Sequence, residues 1–239
     1  MEKIKNYDKV VEIAGKHLGK VGGDGYKDTY STELLVKVPR YLNREGYGLS
    51  SDSFVGVDTW NCYEVSAITT KGQPVAGMLK IVCPSNSEFH VESKSIKLYL
   101  NSFNMTRLGD CAADCMAVIE AKVKEDLDKL LETNTIVSFY SDIDDGKALS
   151  FEGYQDLSDI TDLDLIDFTA FSSDASQLET ETVVEKSKEI KLKSNLLRSN
   201  CRVTNQPDWG DVFIRMNGKN IPSPESIAKY IVSHRTVSH

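Results

Sequence analysis

The chain is poor in cysteine, and what cysteine it has follows no recognisable pattern. Five cysteines fall at 62, 83, 111, 115 and 201 of 239 residues, with no CxxC pair and no Cys/His cluster. An odd, irregular set of this kind excludes a disulfide framework. Cys111 and Cys115 lie four apart on a predicted helix and so share a face. Two such ligands without a nearby histidine make a poor metal site, and no metal is expected. Positive charge is also short: 28 Lys+Arg against 36 Asp+Glu give a net charge of -8 and a pI near 5.1. Such a surface repels a polyanion, which argues against nucleic acid or a membrane surface as a partner. A small anionic cofactor held by a few local cations stays open. The N-terminal twenty residues alternate charged and apolar side chains, with no continuous apolar run. They read as neither a secretory signal nor a membrane span, so the expected location is the cytoplasm. The remainder, 40% hydrophobic and 27% charged, is ordinary globular composition sized for one large domain or two small ones.

The stretch 195–214, NLLRSNCRVTNQPDWGDVFI, concentrates the candidate chemistry. Cys201 is flanked by Arg198 and Arg202 and stands seven positions before Asp208, in a Pro-Asp-Trp-Gly sequence read as a turn. Cationic neighbours favour the thiolate, the attacking form of cysteine. A carboxyl held across a turn from it is a candidate proton donor to a polar multiple bond. Asp208 must carry its proton when needed, which burial beside Trp209, or sharing with the thiol, would secure. The plain alternative is a small buried cysteine and an ordinary turn aspartate.

Hydrophobic spacing predicts an N-terminal amphipathic helix over Ile4, Tyr7, Val11, Ala14 and Leu18, then a Gly22-Gly23-Asp24-Gly25 linker. Strands follow at 57–69 and 75–83 around a Lys71-Gly72 turn. A helix over 93–103 carries Ile96, Leu100 and Phe103 on one face, with Ser93 as its N-cap. Another helix, 111–131, turns Met116, Ile119, Val123, Leu127 and Leu130 inward before a strand at 135–140. Hairpin-joined strands with helices between them favour antiparallel sheets with helices on one face, an α+β fold. An acidic, turn-rich stretch, 142–181, reads as a connector with one β-like piece at 165–171. A charged strand at 182–194, a strand at 212–216 and a helix opening at Pro222-Ser-Pro-Glu225 repeat the order of the first half. If the halves are related, the spacing from Leu34-Leu35 to Pro39 matches that from Leu196-Leu197 to Cys201.

A second string, Glu92-Ser-Lys-Ser-Ile-Lys-Leu-Tyr99, sets a carboxylate before a helix start. Lys94 and Lys97 emerge from its first turn beside open backbone N–H groups, an arrangement suited to phosphate. The carboxylate suits a guanine-like N–H edge. An amphipathic helix with a solvated lysine face is the plain alternative.

This string, continuing to Asn104, resembles the signature of the NADPH-dependent 7-cyano-7-deazaguanine reductases, the nitrile reductases of queuosine biosynthesis. The stretch 199–210 resembles their catalytic segment, and 38–44 and 100–107 resemble their two-module bacterial form. The similarity runs over 26–235. It implies tandem tunnelling-fold modules: an N-terminal helical extension at 1–22, a first module at 23–160 and a second at 161–239. By the resemblance, Cys201 adds to a nitrile carbon as a thioimide and Asp208 protonates the nitrogen. Val91, Glu92 and Ser93 hold the deazaguanine, Ser93 and Lys94 hold NADPH phosphates, and two hydrides complete a four-electron reduction. A homo-oligomer, a dimer, is the expected assembly. If Cys201 forms a disulfide, Cys83 and Cys115 are the partners to test.

One departure stands out: the family's Phe-His-Glu substrate segment and Arg-Gly cofactor pair fall beyond His239, and neither His90 nor His234 matches them. The second module is therefore expected to be incomplete, with an uncovered sheet. An amidinotransferase using the same thioimide, or a truncated homologue that binds a partner, are the alternatives. The intact 92–99 string weighs against the amidinotransferase.

Overall fold

The computed structural model describes Ile13 and residues 28–142, 151–182, 188–202 and 204–238. The chain divides into two compact units, Met1–Ala148 and Leu149–His239. The predicted N-terminal helix and glycine linker lie outside the described residues, except Ile13, which packs against Val38 and Leu42.

The first unit runs β1 (Lys37–Pro39), α1 (Tyr41–Arg44), β2 (Val57–Ile68), β3 (Pro74–Pro84), β4 (Phe89–Val91), α2 (Ser93–Asn101), α3 (Ala112–Leu131) and β5 (Ile136–Tyr140). Strands β2, β3 and β5 form an antiparallel sheet in that order, and β1 pairs with β4 in a small antiparallel ladder. The predicted hairpin is present. Gly72 supplies its left-handed residue at φ +86°, which glycine adopts without a Cβ penalty. Gly77 answers a different need: a Cβ there would lie 2.3 Å from the Tyr140 carbonyl oxygen, where β3 passes β5. Val65, Val75, Leu79 and Ile81 of the sheet share one core with Ile96, Tyr99 and Leu100 of α2 and Ile119, Val123 and Leu127 of α3.

Two helix expectations need correcting. In α3 the fully buried stripe includes Cys115 and Leu131, while Met116 and Leu130 sit at its half-buried margin. The inward face is thus turned by about one residue from the predicted one, a small rotation that three- and four-residue spacing alone does not fix. In α2 the N-cap is Glu92, not Ser93. Across the two helices, the Tyr30 and Tyr99 hydroxyls both donate to Asp126 Oδ2, at 2.6 and 2.5 Å. Burial, then that hydrogen bond, pushes both tyrosine pKa values well up.

The second unit runs β6 (Gln155–Asp156), α4 (Leu157–Ile160), β7 (Thr180–Thr182), β8 (Lys188–Asn200), β9 (Pro207–Gly218), β10 (Asn220–Pro222) and α5 (Pro224–Ser233). Its main sheet has the order β6–β8–β9, and β7 pairs with β10 in a second small antiparallel ladder. The β8–β9 pairing is antiparallel, but β6 joins β8 in parallel, so the sheets are not antiparallel throughout. Both hairpin strands outrun their predicted ends: Asn200 pairs with Pro207 and Ser199 with Asp208. Asp208 therefore lies in a ladder rather than a turn. Ser-Asn and Pro-Asp read locally as turn formers, and cross-strand pairing overrides them.

The acidic stretch is more than a connector. Leu157, Leu163, Ile166, Phe168 and Leu178 pack with Leu192, Ile227 and Ile231 in the second core. The predicted β-like piece at 165–171 joins no ladder; Ile166 and Phe168 use their apolar side chains for packing instead. On β9, Phe213 stacks on Phe151 with centroids 3.6 Å apart, so the stretch also supplies a ring for a non-core side chain. Pro39 stands opposite Phe89 in a small ladder, whereas Cys201 opens the loop of the long hairpin. The spacing that matched them reflects no shared position.

Candidate active site

Cys201 is the first residue of the six-residue loop joining β8 and β9. Its N–H donates to the Gln206 carbonyl at 2.8 Å, and its own carbonyl accepts from Asn205 N–H at 2.8 Å. Asn205 takes the left-handed conformation, φ +55°, that asparagine tolerates better than most residues. The thiol is half-buried. Asp208 stands opposite Ser199, two residues before Cys201. Cross-strand pairing turns Ser199 and Asp208 toward one face of the hairpin, and Cys201 follows directly on the end of that ladder.

The surroundings of this pair differ from expectation in two respects. Asp208 is exposed within its unit and Trp209 is 70% exposed, so the tryptophan does not bury the carboxyl there. The Arg198 guanidinium donates to the Arg235 carbonyl at 2.6 Å, and Arg202 reaches the Ser238 carbonyl at 3.5 Å. With Asn200 N–H bonded to the Val237 carbonyl at 2.8 Å, these residues tie the hairpin end to the 235–238 segment.

The 92–99 string forms the entrance to α2. Glu92 has extended backbone, and its carboxylate caps the helix: Oε1 accepts from Lys94 N–H at 3.0 Å and Oε2 from Ser95 N–H at 2.6 Å. Ser95 Oγ donates to the Glu92 carbonyl at 2.7 Å and accepts from Val36 N–H at 3.1 Å. Glu92 N–H bonds the Val36 carbonyl at 2.9 Å. Every polar part of Glu92 is thus fixed, and the residue is only 9% exposed. Two of the helix amides expected to be open to phosphate, those of Lys94 and Ser95, are spent on this carboxylate. Any phosphate here meets side chains: Ser93, Lys94 and Lys97 are exposed, and Lys97 pairs with Glu64 at 3.1 Å. Glu92→Gln is expected to cost about 1 kcal/mol, read from the denaturant midpoint, because the amide offers one acceptor oxygen where the cap uses two. The side chain of Val91 is sealed in the core, leaving only its main chain for recognition.

Among the described residues of the first unit, two clefts bear on these strings. One, of about 310 Å³, lies between β2 and α2 and is lined by Trp60, Cys62, Glu64, Ser93 and Lys97 among others. The other, of about 410 Å³, is lined by Arg40, Arg44, Asp58, Thr59, Trp60 and His90. Arg40 pairs with Asp58 there and donates to Ser87 Oγ at 3.1 Å. Burial, then the Arg40 charge, lowers the His90 pKa. Sequence reasoning missed this second cleft, although Arg40 and Arg44 lie within one of the strings singled out.

Cys111 is exposed at the N-cap of α3 while Cys115 is buried in the core, so they do not share an accessible face. Cys83 and Cys115, at 2% and 0% exposure inside the first core, are closed to any disulfide partner from outside it. Among the described residues no helix is long and apolar enough to cross a membrane.

The family model described as nitrile reductase, 7-cyano-7-deazaguanine-reductase N-term matches residues 26–139. Curated relatives named NADPH-dependent 7-cyano-7-deazaguanine reductase include one from Rickettsia massiliae (strain Mtu5). It is 37% identical over 221 residues, covering 88% of this chain and 73% of the relative. Another, from Rickettsia canadensis (strain McKiel), is 37% identical over 228 residues, covering 93% and 77%. Similarity of that depth extends through both units, well past the matched N-terminal region, and the chain belongs to the NADPH-dependent 7-cyano-7-deazaguanine reductase family.

Proposed function

We propose that this chain reduces the nitrile of 7-cyano-7-deazaguanine to the aminomethyl product, in the cytoplasmic route to queuosine in tRNA. What supports the reading is the hairpin itself, with Asp208 opposite Ser199 in the β8–β9 ladder and Cys201 opening its loop, in a chain whose relatives carry that name. A nitrile is a linear, soft electrophile matched to sulfur. Cys201 Sγ bonds to the nitrile carbon as one C–N π bond opens, giving a thioimide. Asp208 delivers the proton to nitrogen, so one S–H is lost and one N–H is gained. Breaking the S–C bond later returns its electron pair to Cys201 and frees the half-reduced substrate. The Glu92 carboxylate, oriented by the Lys94 and Ser95 amides, offers its remaining lone pairs to the N–H edge of the deazaguanine, with the Val91 and Ser93 main chain beside it. Bound NADPH supplies the two hydrides. The exposed donors Ser93 and Lys94, with Lys97 nearby, suit its phosphates, chiefly through their side chains because Glu92 occupies the Lys94 and Ser95 amides.

The reading includes two tandem tunnelling-fold modules, 23–160 and 161–239, preceded by a helical extension at 1–22. Close parallels support it. Both long hairpins carry a one-residue bulge on the first strand, at Cys62/Val65 and Ser194/Leu197. Each then resumes with a shared sequence, Gln73-Pro-Val-Ala-Gly77 and Gln206-Pro-Asp-Trp-Gly210. Ser95 and Ser226 both donate to the carbonyl of the helix cap, at 2.7 and 2.9 Å. Ser102 and Ser233 donate to Tyr99 and Tyr230 carbonyls at 2.6 and 2.7 Å. In this alignment Thr69 and Val75 stand where the second module has Cys201 and Asp208. Conversely, Ser223, Glu225 and Ala228 stand where the first has Glu92, Lys94 and Lys97. Each module has kept what the other has lost. Association as a homodimer agrees with exposed Val57 and Tyr63 on the edge strand β2 and Ile136 on the edge strand β5.

The test is to incubate the protein with 7-cyano-7-deazaguanine, take an intact mass, then add NADPH and follow its absorbance. A covalent adduct followed by NADPH consumption is expected. An adduct without consumption would move the assignment to the amidinotransferase kind or to a crippled reductase. A folded protein with no adduct would overturn the thioimide chemistry altogether.

A further inference from the structure

The cleft around Arg40 and Arg44 has no part in the proposed reaction, yet its wall is charged and rigid. The two arginines lie four apart, at the cap and the end of the single turn of α1, so their like charges share one side and repel. Asp58 offsets one of them by pairing with Arg40. Ser87 Oγ, Asp58 and the Pro84 carbonyl fix the plane of Arg40 through its Nε and Nη2. Arg44 donates to the Ser85 carbonyl at 2.6 Å and lies over the Phe54 ring at 4.8 Å. Among the described residues no carboxylate pairs with Arg44. Each guanidinium carries five N–H donors, more than these acceptors use. His90 completes the wall, and its buried Nε2 has no partner among the described residues. Asp58, Trp60 and Cys62 fall on one face of β2, in unbroken register with Cys83, Ile81 and Leu79. Asp58 and Trp60 line the arginine cleft, and Trp60 and Cys62 line the cleft of Ser93 and Lys97. The indole is therefore common to both, and the row from Asp58 to Cys62 spans about 13 Å at the rise of a strand.

We propose that the arginine cleft binds the adenosine 2′-phosphate of NADPH, with Arg44 as the residue that selects it over NADH. The cofactor carries phosphate at two separate places, the pyrophosphate bridge and the 2′-position of the adenosine ribose. The first unit offers cations at two places along one strand, and their chemistry differs in the matching way. Each phosphorus of the bridge bears a single negative charge, which suits the Ser93 hydroxyl and the point charges of Lys94 and Lys97. The 2′-phosphate is a monoester, close to a dianion at neutral pH, with three acceptor oxygens that match guanidinium forks. Trp60, between the two, offers an aromatic surface for the adenine. Strand β4, which carries His90, leads within three residues to Ser93, so the two clefts are also joined through the chain. A bound dianion offsets the charge that Asp58 leaves on Arg44. This inference rests on the reading of the Ser93 and Lys97 cleft as the place of the cofactor, yet it has a readout of its own.

Adenosine 2′,5′-bisphosphate and 5′-AMP differ only in the 2′-phosphate, and their binding to the full chain is measured by calorimetric titration. The parent is expected to hold the bisphosphate about tenfold or more tightly, through charge-assisted bonds to guanidinium. Arg44→Ala should lose that preference while binding 5′-AMP as the parent does. Arg44→Lys, which keeps a charge without the fork, should fall between the two. Lys97→Ala should weaken both ligands alike. In turnover, Arg44→Ala should raise the KM for NADPH and leave kcat and the KM for NADH unmoved. Equal affinities in the parent, no binding of either ligand, or a preference that survives in Arg44→Ala overturns the proposal. A preference lost in Lys97→Ala instead also overturns it, since the 2′-phosphate then sits beside Ser93. Should Arg44→Ala melt below the parent, Arg44→Lys decides, and an undiminished preference there is likewise fatal. Failure of the reductase reading looks different: an Arg44-dependent preference is present, but the nitrile consumes no NADPH.

Discussion

In Cys201→Ala the covalent adduct with 7-cyano-7-deazaguanine is expected to vanish, with the intact mass unchanged after incubation. The other thiols explain why no substitute is expected. Burial pushes the pKa of Cys62 and of Cys83 to about 11 and raises that of Cys115. At neutral pH these sulfurs are almost entirely protonated, and the protonated form is a poor nucleophile. Cys83 and Cys115 are also sealed in the core. Cys62 lines the cleft beside Ser93, so there it is the raised thiol pKa that keeps it from substituting. Cys111 is exposed, so it will react with general alkylating agents but has no carboxyl donor across a hairpin from it. Cys111→Ala should therefore keep the full adduct. A surviving adduct in Cys201→Ala would remove the residue from the chemistry.

Asp208→Asn is expected to slow adduct formation at least about a hundredfold, the usual contribution of a positioned proton donor. The replacement is nearly isosteric, and Asp208 holds its place through main-chain pairing with Ser199 that asparagine retains. The melting curve should stay with the parent. Because recognition of the base is assigned to Glu92 and its neighbours, the loss belongs in the maximal rate rather than in half-saturation by substrate. A parental rate in Asp208→Asn would leave the nitrile nitrogen to be protonated by something else.

Legibility from sequence followed the length scale of the signal. Strands β2 and β3 and the helix carrying Ile119, Val123 and Leu127 were plain, since their apolar periodicity runs over many residues. The hairpin around Cys201 was half visible. Its chemistry showed in residue types, while its strands were hidden because Ser-Asn and Pro-Asp-Trp-Gly look like turn formers and only pairing makes them ladder. The 151–182 stretch was misread for the opposite reason. Its acidic composition masked the scattered leucines and aromatics that a non-periodic segment packs into a core. Glu92 was named for its charge and missed as a cap, because Ser93 beside it is the commoner capping type. The proposed match of Thr69 with Cys201 is flagged only by the Gln-Pro-x-x-Gly that follows each, five residues that repeat after 133 positions, and no local pattern points to so short a repeat.

The chain has only two tryptophans, and they fall one to each unit. Trp60 is half-buried and lines both clefts of the first, whereas Trp209 is exposed beside Asp208 in the second. Intrinsic emission is thus a two-channel optical reporter. Replacing either indole with phenylalanine leaves a single tryptophan, so under selective indole excitation, quenching by a deazaguanine ring or by a reduced nicotinamide can be assigned to one half of the chain at a time.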